Sequence, residues 1–87
     1  MKNIYFIGIG GIGMSAIARY YYAKVFKVSG YDKTPSPLTH EIEAEGIEVH
    51  YEDNVDFVPK DVDETLVVYT PAVPKDMGEL VYVQEKG

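Results

Sequence analysis

Apolar residues run almost without interruption through Asn3-Ile4-Tyr5-Phe6-Ile7, with little of the alternation that marks a strand with one wet face. The run predicts a strand covered on both faces, as in a parallel sheet. After a glycine-rich turn, Ile12, Ala16, Ile17, Tyr20 and Tyr21 recur at three- and four-residue spacing. That spacing predicts a helix from about Gly11 to Lys24 whose apolar stripe packs on the sheet. Phe26 to Tyr31 reads as a second strand, ended by Asp32 and by Pro35-Ser36-Pro37, where two prolines resist both helix and ladder. Ser36 suits an N-cap and Pro37 a first helical position, so a second helix is expected from Pro37 to about Glu45. Leu38 and Ile42 would face inward, and Gly46 would close the helix.

Farther on, Glu48 to Tyr51 predicts a short third strand, and Glu52 to Glu64 an acidic loop around Pro59 with one helical turn near Val55 to Val58. Thr65 to Tyr69 is a fourth β run. Asp76 and Glu79 have the spacing of a capping box for a last helix with Met77, Leu80, Val81 and Gln84 on one face. Strands alternating with helices across short loops imply parallel βαβ units. Right-handed crossovers then give a Rossmann-like α/β fold: three layers, strand order 3-2-1-4, helices on both faces of the sheet. Residues 1–87 form one domain, and the outer edge of the fourth strand calls for a fifth strand after Gly87 in a longer parent chain.

Composition narrows the function. Forty-six per cent hydrophobic residues suffice for a core, while a formal charge of -6 disfavours nucleic acid, whose phosphates call for clustered Lys and Arg. Without cysteine, disulfides, thiolate catalysis and Cys-based zinc sites are excluded, and cytoplasm is the default compartment. The start has a faint signal-peptide look, Lys2 before an apolar run ending in Ala16-Ile17-Ala18, but four glycines within the run weaken a helix by about 1 kcal/mol each. The same glycines, and a length short of about 18 apolar residues, exclude a membrane span. His40 and His50 lack a metal-ligand pattern and read as solvated or packing residues, and the acids of the second helix and of the 52–64 loop read as solvated surface. Of the three tyrosines Tyr20 to Tyr22, one or two should pack.

Gly8-Ile9-Gly10-Gly11-Ile12-Gly13 has G-x-G-x-x-G spacing between a strand and a helix, the context that gives this motif meaning. Gly8 would permit the tight turn, Gly10 the approach of a phosphate, and Gly13 close helix–sheet packing. No lysine or arginine lies between Asn3 and Ala18, so an anion would rely on helix-start amides and the helix dipole, with the Ser15 hydroxyl as a further donor. Asp32, nineteen residues after Gly13 and ending the second strand, stands where such domains put an acid against ribose hydroxyls. The spacing does not tell NAD from UDP.

The stretch Ile4-Tyr5-Phe6-Ile7-Gly8-Ile9-Gly10-Gly11-Ile12-Gly13-Met14-Ser15 resembles the N-terminal signature of the UDP-N-acetylmuramate:L-alanine ligases, within the Mur ligases. The likeness continues through Val28 to Asp32, Pro37-Leu38-Thr39, Glu43 to Ile47 and Val67 to Pro74, nearly the whole chain. It implies the UDP-binding first domain of a cytoplasmic three-domain ligase of peptidoglycan precursor synthesis, with UDP-N-acetylmuramate as ligand and with ATP and Mg2+ used by domains absent here. By the same resemblance Gly8, Gly10, Gly11, Ile12, Gly13, Met14 and Ser15 meet the diphosphate, and Asp32, Thr70, Pro71 and Ala72 line the uridine side. No catalytic residue or metal ligand is expected, and the chain contains no G-x-x-x-x-G-K-[ST] loop. The alternatives are an NAD- or NADP-binding domain of an oxidoreductase or regulator, carried by the loop and Asp32 alone, and a protein-interaction domain with a vestigial loop.

Overall fold

A computed structural model describes residues 2–24, 26–61, 64–70 and 73–86. Strands β1 (Asn3–Ile7), β2 (Lys27–Tyr31), β3 (Glu48–His50) and β4 (Thr65–Val68) alternate with helices α1 (Ile12–Ala23), α2 (Pro37–Ala44) and α3 (Gly78–Lys86), and a 3-10 turn occupies Val55–Phe57. The sheet runs β3-β2-β1-β4 with every pair parallel, the Rossmann-like order expected from right-handed crossovers. Phe26, Tyr51 and Tyr69 fall just outside their strands.

β1 is the centre, Ile4 lying in register with Val28 on one side and Leu66 on the other. Its alternation builds two cores. Ile4 and Phe6 join Ile9, Met14, Ala18, Val28, Ile42 and Ile47 under α1 and α2. Tyr5 and Ile7 join Val58, Met77 and Leu80 under α3 and the 3-10 turn. Burying each large side chain on this strand contributes roughly 1.5–3 kcal/mol, so the strand that carries the glycine loop is also the best anchored. The Ser36 cap of α2 forms as expected, its hydroxyl accepting the Thr39 N–H at 3.1 Å while the Thr39 hydroxyl accepts the Ser36 N–H at 2.8 Å.

Helix α1 turns a different face to the sheet from the one its apolar spacing implies. Met14, Ser15 and Ala18 are buried and Tyr21 packs beside them, whereas Ile12 is 86% exposed, Tyr20 59% and Ile17 42%, and Ala16 is exposed too. The physical reason is a second stripe: Met14, Ala18 and Tyr21 also stand at four- and three-residue spacing, and it is this stripe that meets Ile4, Phe6 and Ile9 in the core. Close packing is not the task of Gly13, for a Cβ there would meet nothing within 4 Å. Packing does require a glycine at Gly30, where a Cβ would stand 2.7 Å from the Phe6 carbonyl oxygen and 2.8 Å from Ile9 Cδ1.

The last helix also differs from expectation. Its first amides are capped from a distance, Gly78 N–H and Glu79 N–H each donating to the Asp53 carboxylate at 2.9 Å, and Asp76 is not their partner. Asp53 is thus a cap rather than one more solvated acid of the 52–64 loop. Met77 and Leu80 are buried with Tyr82 and Val83 packed against them, while Val81 and Gln84 face outward. Glu79 is fully buried, a position that capping-box spacing could not reveal.

Candidate functional site

The turn after β1 is set by Gly8, whose φ of 91° is a conformation other residues adopt only under strain. Its N–H and that of Ile9 both donate to the Tyr31 carbonyl at the end of β2, at 2.7 and 2.9 Å, so the loop leaves the sheet at the carboxyl ends of the two strands. Asp32 follows immediately. Its Oδ2 accepts the Gly10 N–H at 2.7 Å and its Oδ1 the Thr34 N–H at 3.1 Å. A Cβ on Gly10 would lie 2.6 Å from Asp32 Oδ2 and 2.7 Å from Thr39 Cγ2. What the bare backbone of Gly10 admits is therefore the carboxylate of Asp32 and the start of α2. With that N–H taken and the Gly11 N–H given to the Gly8 carbonyl at 3.2 Å, the donors that face outward are those of the first turn of α1, Ile12 to Met14.

That first turn is open to a ligand. Its N-cap, Gly11, supplies no side-chain hydrogen bond, and no acid lies in the first turn to neutralise the positive end of the dipole. Gly11, Ile12 and Gly13 are exposed. Met14 is buried in the core, and the Ser15 hydroxyl, also buried, donates to the Ile12 carbonyl at 3.0 Å, so it is spent within the helix.

Beside the loop, at the carboxyl ends of the strands where the strand order switches between β1 and β4, lies an open cleft of about 530 Å³. Ile7 and Gly8, then Tyr31, Asp32 and Lys33, then Thr70, Val73 and Pro74, and finally Asp53, Asp76 and Met77 line it. Of the residues expected here, the structure thus brings Gly8, Asp32 and Thr70 together, and Pro71 and Ala72 lie outside the described residues. Tyr31, Lys33 and Asp53 were missed. For the first two the signal was adjacency to Asp32; for Asp53 no local pattern exists, because its place depends on a loop folding back over α3. Lys33 gives the cleft a cation. Burial, then the charges of Asp53, Glu79 and Asp32, hold the Tyr31 phenol above its ordinary range, keeping it a neutral donor.

Behind the cleft, Glu79 accepts the Tyr5 hydroxyl and, at 2.9 Å, the Asn54 N–H, and His50 Nε2 is hydrogen-bonded at 2.9 Å to both Glu79 and the Tyr5 hydroxyl. His50 is thus a packing and hydrogen-bonding residue, stacked 4.5 Å from Phe57, whereas His40 is exposed. Among the described residues no group of three or more His, Cys, Asp or Glu is arranged to hold a metal ion, and no helix is long and apolar enough to cross a membrane.

Residues 3–87 match the model of the Mur ligase family, catalytic domain. The chain belongs to the Mur ligase family. It is 58% identical over 90 residues to a UDP-N-acetylmuramate--L-alanine ligase of Porphyromonas gingivalis, covering 100% of this chain and 20% of that protein. Against the ligase of the same name from Flavobacterium psychrophilum it is 59% identical over 88 residues, covering 99% and 20%. Among solved structures it superposes on a UDP-N-acetylmuramate-alanine ligase of Thermotoga maritima with a TM-score of 0.86 at 32% identity, covering 97% of this chain and 19% of that one. A Neisseria meningitides ligase for UDP-N-acetylmuramate and a peptide, L-alanyl-gamma-D-glutamyl-meso-diaminopimelate, matches with a TM-score of 0.80 at 28% identity, covering 100% and 27%. This Mur ligase chain therefore spans about a fifth of the length of the curated relatives it matches.

Proposed function

We propose that residues 1–87 are the nucleotide-binding domain of an ATP-dependent UDP-N-acetylmuramate:L-alanine ligase and hold the UDP end of the precursor. The observation that carries this reading is the uncapped first turn of α1, set behind the glycine loop at the carboxyl end of the central strand and adjoining the Asp32–Thr70 cleft. Backbone amides and the helix dipole would bind the diphosphate without a cationic side chain, and the cleft would take the uridine side. Ile12, Gly13 and Met14 supply the amides; Asp32 shapes the loop and borders the ribose; Thr70, with Pro71 and Ala72 after it, borders the base. Identities of 58% and 59% to proteins named for this reaction support the specific substrate.

ATP with Mg2+ would supply activation of the muramoyl carboxylate as an acyl phosphate, and that chemistry belongs to the remaining four-fifths of the relatives' length. In this chain the residues bind and orient. The proposed compartment is the cytoplasm, and the proposed partners are UDP-N-acetylmuramate and the further domains of the same ligase.

An NMR titration tests the reading. UDP or UDP-N-acetylmuramate should displace the amide signals of Gly11 to Ser15, Asp32 and Thr70 more than NAD at equal concentration. Weak binding is expected without the enclosing domains, and millimolar affinity corresponds to about 4 kcal/mol. Displacement by NAD with no response to UDP compounds would instead favour a dinucleotide domain. Purified chain should show no alanine-dependent phosphate release.

A further inference from the structure

One wall of the cleft is built from two segments outside the sheet, the 52–54 loop carrying Asp53 and the approach to α3 carrying Asp76 and Met77. They hold each other reciprocally. Asp53 accepts the Gly78 and Glu79 amides, and Glu79 Oε2 accepts the Asn54 amide, all at 2.9 Å. Glu79 also takes the Tyr5 hydroxyl from β1 and His50 Nε2 from the end of β3. The Tyr5 hydroxyl and His50 Nε2 also lie 2.9 Å apart, so Glu79, Tyr5 and His50 form one mutually bonded cluster. Four parts of the fold converge on one fully buried carboxylate. Tyr31, which lines the cleft, has its ring 5.7 Å from that of His50.

A buried carboxylate is a costly way to join two layers, and an apolar side chain of similar volume would do so with less desolvation. What the carboxylate adds is direction: two oxygens meeting three polar partners fix the loop relative to the strands. We infer that Glu79 is a positioning residue for nucleotide binding, setting the cleft wall from behind without touching the ligand. The inference rests on the nucleotide reading above. Diphosphate at the α1 amides does not meet this wall, whereas the uridine side of UDP does, so the two ligands separate positioning from general loss of structure.

The test is calorimetric titration of this chain with UDP and, separately, with inorganic diphosphate. An amide at position 79 offers one accepting oxygen where two are used, so Glu79→Gln should weaken UDP about tenfold and leave diphosphate within about twofold. Tyr5→Phe deletes one donor, keeps the ring, and should weaken UDP about threefold; it carries the same comparison if the first variant fails to fold. Equal losses for both ligands, or UDP binding unchanged in both variants, would overturn the positioning role. Failure of the wild-type chain to bind UDP would overturn the nucleotide reading and this inference with it.

Discussion

The carboxylate of Asp32, at the end of β2, accepts the backbone N–H of Gly10 at 2.7 Å, so the acid of the second strand closes the loop of the first. Gly10 has no room for a Cβ between Asp32 and the buried Thr39. Gly10→Ala should therefore cost about 1–3 kcal/mol of stability. Asp32→Ala should cost about 1–2 kcal/mol, for two lost hydrogen bonds to a half-exposed carboxylate. Since the two share one contact, the double variant should be less destabilised than the sum in urea denaturation. Strict additivity would show that they act independently.

Gly13 separates packing from binding. A Cβ there meets open space, so Gly13→Ala should raise stability by about 0.5 kcal/mol through helix propensity. The same methyl group would stand among the outward-facing amides of the first turn and should weaken UDP binding. Thermal melts and a UDP titration on one sample read both signs, and a loss of stability would restore the packing role.

The two faces of α1 should respond oppositely to substitution. Ile17 is 42% exposed, and Ile17→Lys should change stability by no more than about 0.5 kcal/mol. Ala18 is fully buried, and Ala18→Leu should cost about 1–3 kcal/mol by overpacking. Chemical denaturation that ranks them the other way would place the wrong face on the sheet.

Alkaline pH should weaken the fold through Tyr5. Burial first, then the hydrogen bond and charge of Glu79, push its phenol far above the ordinary value of 10. The folded state then keeps a proton that the unfolded chain releases, so stability fully present below pH 10 falls as pH rises, by about 1.4 kcal/mol per unit. Tyr5→Phe should flatten that slope in melts taken between about pH 9 and 11.5. An unchanged slope would show that other groups carry it.

Much of the architecture was legible because it rests on local signals. The apolar runs of β1 and β4, the Ser36-Pro37 start of α2 and the glycine loop each combine a period with a breaker, and parallel order 3-2-1-4 follows from crossover handedness. The α1 face was misread because Met14, Ala18 and Tyr21 offer a second stripe at the same spacing, and periodicity alone does not choose between stripes. The α3 cap was misassigned because Asp76 offered the right spacing nearby, whereas the actual cap, Asp53, lies 25 residues before Gly78.

The amino-acid sequence alone determined the strand–loop–helix that presents open amides, the acid after the second strand and the family to which the chain is similar. These depend on residues close in sequence, whose backbone preferences act before any layer packs. Only the tertiary structure decided that Asp32 spends itself on Gly10, that the Ser15 hydroxyl is turned into its own helix, and that Asp53 lines the cleft while His50 and Glu79 meet behind it. Those relationships join segments brought together by the sheet, where a side chain's partner is chosen by distance in space and by the cost of leaving a buried donor or acceptor unmatched.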